Sequence, residues 1–169
     1  MIILPVLLAI AAQAGGDEDT LTPAREGLLR CTSPDPARKT CSSLTSFTIR
    51  PDGSFEAEVT GIGGPAGIQV HYRMPGKIVG GAACFVHRTD TLASATFTKP
   101  NARLAQSLQE TLRRDLAAAM APLNGRQRCY RDQIDNAVLI ARTTLDGVAQ
   151  PDLDRPVRWV APGDGYKVE

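Results

Sequence analysis

The chain has 169 residues, of which 43% are apolar and 22% are charged, and its formal net charge is +1. This length fits one domain with its own core, and the composition excludes a largely disordered chain. A net charge so close to zero argues against recruitment to nucleic acid or to an acidic membrane surface.

The start of the chain predicts export. Ile2 to Ala12 is an apolar run that is too short to cross a bilayer as a helix. Ala12-Gln13-Ala14 has the A-x-A pattern of a cleavage site, so we expect a signal peptide over residues 1–14, although its positive start is missing. The alternative is a buried N-terminal strand. No later stretch is apolar enough to span a membrane, so we expect no integral membrane segment in the mature chain.

The cysteines also support the prediction that the protein is exported. An even number of cysteines in an exported chain predicts disulfide bonds; here they are Cys31, Cys41, Cys84 and Cys129. Three pairings are possible. We favour Cys31–Cys41, which closes a short proline-containing loop, and Cys84–Cys129, which ties a strand before the main helix to a strand after it. Such bonds indicate a periplasmic or secreted protein.

Residues 15–26 are predicted to be a flexible mature N-terminus, and residues 27–169 a single domain rich in short strands. Thr45, Phe47 and Ile49 alternate with polar residues, and the same pattern recurs after a Pro-Asp-Gly sequence, which predicts a hairpin. The glycine cluster at 61–67 is read as another hairpin loop, because no helix follows it as a phosphate cradle requires. Further strands are predicted near 27–31, 68–73, 78–79, 82–87, 95–98, 126–131, 137–144, 157–160 and 166–168.

One segment has a helical period. Large apolar residues recur every four positions on one face, at Leu104, Leu108, Leu112, Leu116 and Met120. The pattern predicts a main amphipathic helix over about 101–121, with Asn101 as its N-cap and Pro122 just after its end. Because such a helix must cover its apolar face, the predicted fold is α+β, with an antiparallel sheet of short strands packed against this helix.

No catalytic signature stands out. The sequence lacks the common serine, zinc and lysine nucleophile motifs, so we name no catalytic residue, metal ligand or cofactor. His71 and His87 are the only histidines, and Cys84-x-x-His87 provides too few ligands for zinc. Closely spaced carboxylates, Glu56 with Glu58 and Asp152 with Asp154, are read as solvated charges. The candidates for an anion site lie around the helix exit: Arg113, Arg114, Arg126, Arg128 and Arg131.

Three features resemble small uncharacterised exported proteins of Gram-negative bacteria. They are the Cys31-x9-Cys41 spacing, the Ala-Met-Ala-Pro sequence at 119–122, and the tail Arg-Pro-Val-Arg-Trp-Val at 155–160 followed by Gly-Asp-Gly-Tyr at 163–166. The resemblance implies a periplasmic location and no particular activity.

The sequence therefore favours a disulfide-stapled periplasmic domain that binds a partner protein or a small ligand of the cell envelope and has no enzymatic chemistry. Two alternatives stay open. One is an envelope hydrolase that uses His71 or His87 with a carboxylate, and the other is a purely structural envelope protein. A deep pocket with a histidine beside a carboxylate would favour the hydrolase.

Overall fold

The computed structural model of the protein describes residues 19–65 and 67–169, and the predicted signal peptide at 1–14 lies outside these residues. The described residues form twelve strands. They are β1 (Leu29–Thr32), β2 (Thr40–Cys41), β3 (Ser43–Ile49), β4 (Ser54–Ile62), β5 (Gln69–Val79), β6 (Ala82–Val86), β7 (Thr96–Thr98), β8 (Gln127–Asp135), β9 (Val138–Leu145), β10 (Val148–Ala149), β11 (Arg155–Val160) and β12 (Lys167–Val168).

Helices occupy much less of the chain than strands do. The α-helices are α1 (Thr22–Arg25), α2 (Thr89–Ala93) and α3 (Gln106–Met120). Three 3-10 turns lie at Ala121–Leu123, Pro151–Leu153 and Pro162–Asp164. None of the helices in the described part of the chain is long and apolar enough to cross a membrane.

Eight of the strands form a closed antiparallel barrel. Around the barrel the order is β1, β3, β4, β5, β6, β8, β9 and β11, and β11 pairs back onto β1. Neighbours in the barrel are therefore also successive barrel strands along the chain. The ring is an up-and-down barrel in which β1 and β11 have no free edge.

The predicted α+β fold, an antiparallel sheet packed against a main helix at 101–121, is wrong. The sheet closes on itself, so its apolar face is covered by the opposite wall of the barrel and needs no helix. The main helix α3 begins later than predicted, after an N-cap at Ala105, and contains no buried residue. It is an accessory element between β7 and β8.

The alternation predicted along the first hairpin is present, and it separates the inside of the barrel from the outside. On β4, Phe55 is 1% exposed and Ala57 is 2% exposed, while Glu58, the next residue along the strand, is exposed to solvent. The turn between β3 and β4 is also as predicted, because Gly53 has a positive φ and Asp52 accepts hydrogen bonds from Ser54. The loop at 61–67 likewise connects two strands, β4 and β5.

Short segments cover the two ends of the barrel. Toward the end of β8, Thr20 accepts a hydrogen bond from the backbone of Asp132, and Leu21 is fully buried in the barrel core. The described part of the predicted flexible segment, residues 19–26, thus packs against the barrel. At the other end, α3 lies on an apolar cluster formed by Ile68, Val70, Ala95 and Phe97.

Both disulfides favoured from the sequence are confirmed. Cys31–Cys41 lies in a small core beside Val160. Cys84 and Cys129 are directly opposite each other on β6 and β8, with their Cα atoms 4.0 Å apart. The bonds fit an oxidising, extracytoplasmic compartment.

Candidate functional site: the barrel interior

The barrel is not completely filled. A cavity of about 200 Å³ lies inside it. Much of its wall is aromatic or aliphatic, and the large apolar side chains that line it are Phe47, Phe55, Tyr72, Met74, Phe85, Tyr130 and Leu153. Three arginines, Arg30, Arg128 and Arg155, also line it, and no carboxylate of the described residues is among the lining groups.

Arg30 forms a buried ion pair whose members are also hydrogen-bonded. Its Nη2 donates to Oδ1 of Asp132 over 2.9 Å, and both side chains are less than 10% exposed. The indole Nε1 of Trp159 donates to the other oxygen of Asp132, and the Arg30 guanidinium stacks 4.1 Å from the centre of the Tyr130 ring. Burial opposes the charge of Arg30, yet Tyr130 and Asp132 outweigh it and raise its pKa. This pair is therefore electrically satisfied without a ligand.

Arg128 is in the opposite situation. It projects from β8 across from Phe85, and its Nε is buried with no hydrogen-bond partner among the described residues. None of the ion pairs in the described part of the chain involves Arg128, and burial lowers its pKa. A guanidinium remains charged in proteins, so Arg128 is a half-buried cation for which no acidic side chain of the described residues provides a counter-charge.

Three polar side chains near Arg128, those of Tyr72, Tyr130 and His87, remain neutral at physiological pH. Burial raises the pKa of Tyr72, and burial raises that of Tyr130 to about 12; the charge of Arg128 opposes both shifts. Burial, with Arg128 nearby, lowers the pKa of His87 to about 4. The charge of Arg128 is thus felt by three side chains that cannot neutralise it.

Arg155 marks where the cavity meets solvent. This residue is exposed at the start of β11, and its Nη1 donates to the backbone oxygens of Asp152 and Asp154 at 2.7 Å each. Hydroxyl groups line the same end of the cavity, at Thr32 and Ser43. The entrance is therefore polar and basic, while the interior beyond it is mostly aromatic.

Neither histidine forms a hydrogen bond or an ion pair with a carboxylate of the described residues. His71 is on the outer face, where Nδ1 lies 3.0 Å from the Thr60 hydroxyl and Nε2 lies 2.7 Å from the Thr98 hydroxyl. His87 is 7% exposed, packs against the ring of Phe85, and its Nε2 has no hydrogen-bond partner in the described chain. The histidine–carboxylate pair that a hydrolase would need is therefore not formed within residues 19–65 and 67–169.

The five arginines predicted as anion-site candidates lie in different places. Arg113 donates to the backbone oxygen of Ala95, and Arg114 lies beside its neighbour Asp115. Arg126 pairs with Asp146 over 2.7 Å, and Arg131 lies next to Gly81. Arg128 alone among the five lines the cavity.

The other charged candidates are engaged on the surface. Arg73 on β5 pairs with Glu58 at 2.6 Å and reaches Glu56 at 3.9 Å. Asp154 accepts from Arg142 and from the backbone of Thr143. No group of three metal-ligating side chains occurs in the part of the chain that the structure describes.

Arg30, Asp132 and Arg155 are site residues that the sequence did not single out. One signal was present, since Arg128, Tyr130 and Asp132 alternate along a single strand and must share a face. The sequence did not reveal that this face points into a barrel, because that depends on which strands pair.

The fold and its interior define a class of protein: a closed eight-stranded antiparallel barrel with a partly open, arginine-containing core. No protein-family model matches the chain, and neither a curated protein nor a solved structure does.

Proposed function

We propose that the protein is an exported, disulfide-stapled binding protein of the bacterial periplasm that holds one small organic molecule inside its barrel. The observation that carries the proposal is the cavity of about 200 Å³, lined by aromatic side chains and three arginines. Closed barrels of eight strands are just wide enough either to fill with side chains or to hold one small ligand. Two disulfides and the predicted signal peptide at 1–14 support the export.

The cavity also limits the size of the ligand. Pockets for drug-sized molecules measure about 300–1,000 Å³, so a cavity of about 200 Å³ suits a smaller molecule. Mostly apolar walls with a few polar groups are the usual lining of such sites. We therefore expect a compact ligand with an apolar body.

Benzyl alcohol, a small neutral aromatic molecule, can test whether the interior accepts a ligand. Met74 lines the cavity, so its methyl group provides an NMR signal that should shift as the probe enters. Ala57→Leu places extra carbons in the cavity and should abolish this shift. Ala149→Leu, the same change at an exposed position on β10, should leave it intact.

Overpacking at Ala57 can destabilise the barrel by about 1–3 kcal/mol. Ala141→Val, a smaller addition into the same cavity, therefore serves as a second blocking variant. A Met74 signal that never responds to benzyl alcohol, or that responds equally in both blocking variants, would refute an interior site.

A further inference from the structure

We propose that the ligand is a small organic acid, with one carboxylate that pairs with Arg128 and an apolar body that lies against the aromatic wall. This inference rests on the proposed interior site and names the chemistry that the site selects.

The charges of the cavity support an anionic ligand. Three arginines line the cavity and no described carboxylate does. Arg30 is neutralised by Asp132, and Arg155 is exposed and bonded to backbone oxygens. Arg128 remains as the one interior cation among the described residues whose charge has no acidic partner, with a buried Nε that donates to nothing.

The free-energy cost of the unpartnered donor of Arg128 explains why an acid would bind at this position. A buried donor without a partner costs stability, and the cost is greater for a charged group. A carboxylate can accept two parallel hydrogen bonds from a guanidinium, and such charge-assisted bonds are about twice as strong as neutral ones. A ligand carboxylate would thus remove a cost that the free protein carries, which a neutral group of the same shape does only in part.

The surroundings of Arg128 favour a single anionic group attached to an apolar body. Phe85 lies directly across from Arg128 in the sheet, and Tyr72 and Met74 line the same cavity. Tyr72, Tyr130 and His87 stay neutral near physiological pH, so they add no second charge for a dianion. The basic residue at the entrance, Arg155, would attract an acid from solvent.

The test compares phenylacetate with phenylacetamide, which has the same shape but no charge. Binding of each is measured by isothermal titration calorimetry near neutral pH, on the full-length mature protein. We expect the wild type to bind phenylacetate at least about tenfold more tightly than phenylacetamide. Arg128→Met, which keeps the length of the side chain, should remove that preference.

Arg131→Met is the matched control, because Arg131 lies on the same strand and does not line the cavity. It should retain the preference for phenylacetate. Equal binding of the two probes to the wild type, a preference that survives in Arg128→Met, or no binding of phenylacetate would each overturn the proposal.

Failure of this proposal is distinct from failure of the interior site. If benzyl alcohol enters the wild type and is excluded by Ala57→Leu, the site stands and the preference for an acid alone is refuted. If the Met74 signal never responds to benzyl alcohol, the interior site is refuted as well.

Discussion

Two arginines inside the same barrel differ in whether the protein provides a counter-charge. Arg30 has Asp132, which also accepts a hydrogen bond from Trp159, whereas Arg128 has no acidic partner among the described residues. Removing a group from a satisfied pair leaves a buried charge alone, while removing an unsatisfied charge relieves a cost. The two positions should therefore respond to substitution in opposite ways.

Asp132→Asn should lower the free energy of unfolding by about 3–5 kcal/mol, because it leaves the buried Arg30 uncompensated. Arg128→Met should leave that free energy unchanged or raise it by about 1–3 kcal/mol. Urea denaturation followed by circular dichroism measures both. The interpretation is wrong if Arg128→Met proves the more destabilising of the two.

His87 gives the folded protein a defined response to acid. Its pKa is lowered from 6.5 to about 4 by burial and by the nearby charge of Arg128. Between these two values the unfolded chain binds a proton that the folded chain does not, so stability falls as the pH is lowered through this window. The loss of stability that His87 causes at low pH is at most about 3 kcal/mol, and there is no such loss above about pH 6.5.

In His87→Leu this component should disappear. Urea midpoints at several pH values between about 4 and 7 would show a shallower loss of stability in the variant than in the wild type. Other acidic groups affect both proteins equally, so the difference between them isolates His87. Identical pH profiles would show that the side chain is not buried in its neutral form.

At the level of elements, α3 contributes at the periphery. Leu112 and Leu116 pack against the apolar cluster at one end of the barrel, but none of the residues of α3 is buried. The strands, in contrast, contain several fully buried side chains, such as Phe55 and Cys31. Disturbing α3 should therefore affect this end of the molecule and spare the interior.

Leu112→Asp should cost only about 1–2 kcal/mol, since this side chain is half-buried, and it should leave the barrel folded. Amide exchange should accelerate in α3 while β8 and β9 stay protected. The fluorescence of Trp159, the single tryptophan, should remain native. Gln106→Asp, at an exposed position of the same helix, serves as a mild control. Loss of the Trp159 signal in Leu112→Asp would restore α3 to a central role.

Across the whole molecule, the sequence predicted local features well and closure poorly. The β3–β4 hairpin follows from a Pro-Asp-Gly turn and an alternating pattern, which are set by neighbouring residues. Closure depends on the pairing of β11 with β1. Leu29 pairs with Val160, and no pattern among neighbouring residues predicts a contact between positions so far apart in the sequence. The apolar face of an open sheet must be covered by another element. The helical period at 104–120 therefore led to the wrong prediction that a helix covers it.

The site was predictable to a similar extent. Arg128 was among the anion-site candidates because it is close in sequence to other arginines, but the structure separates those arginines. Arg30 and Asp132 are far apart in the sequence and meet only across the closed barrel. Long-range pairing therefore determines both the cavity and its charge.

The two disulfides should contribute unequally to stability. Cys84–Cys129 spans 45 residues and bridges the long excursion that contains α2 and α3, whereas Cys31–Cys41 spans 10 residues. The chain-entropy model makes the longer loop more stabilising by about 1 kcal/mol. The denaturant midpoint should therefore be lower for Cys84→Ala/Cys129→Ala than for Cys31→Ala/Cys41→Ala. The reverse ranking would show that packing beside Val160 outweighs loop length.

The pairing of β1 with β11 also determines when the protein can fold. The first barrel strand must wait for the last one, so a chain that emerges from its N-terminus cannot complete the ring until about residue 160 is available. Antiparallel barrels dominated by such distant contacts fold slowly, on a scale of about milliseconds to seconds. If the chain is exported from its N-terminus, as we propose, β11 is the last barrel strand to cross the membrane, and the ring closes in the oxidising compartment.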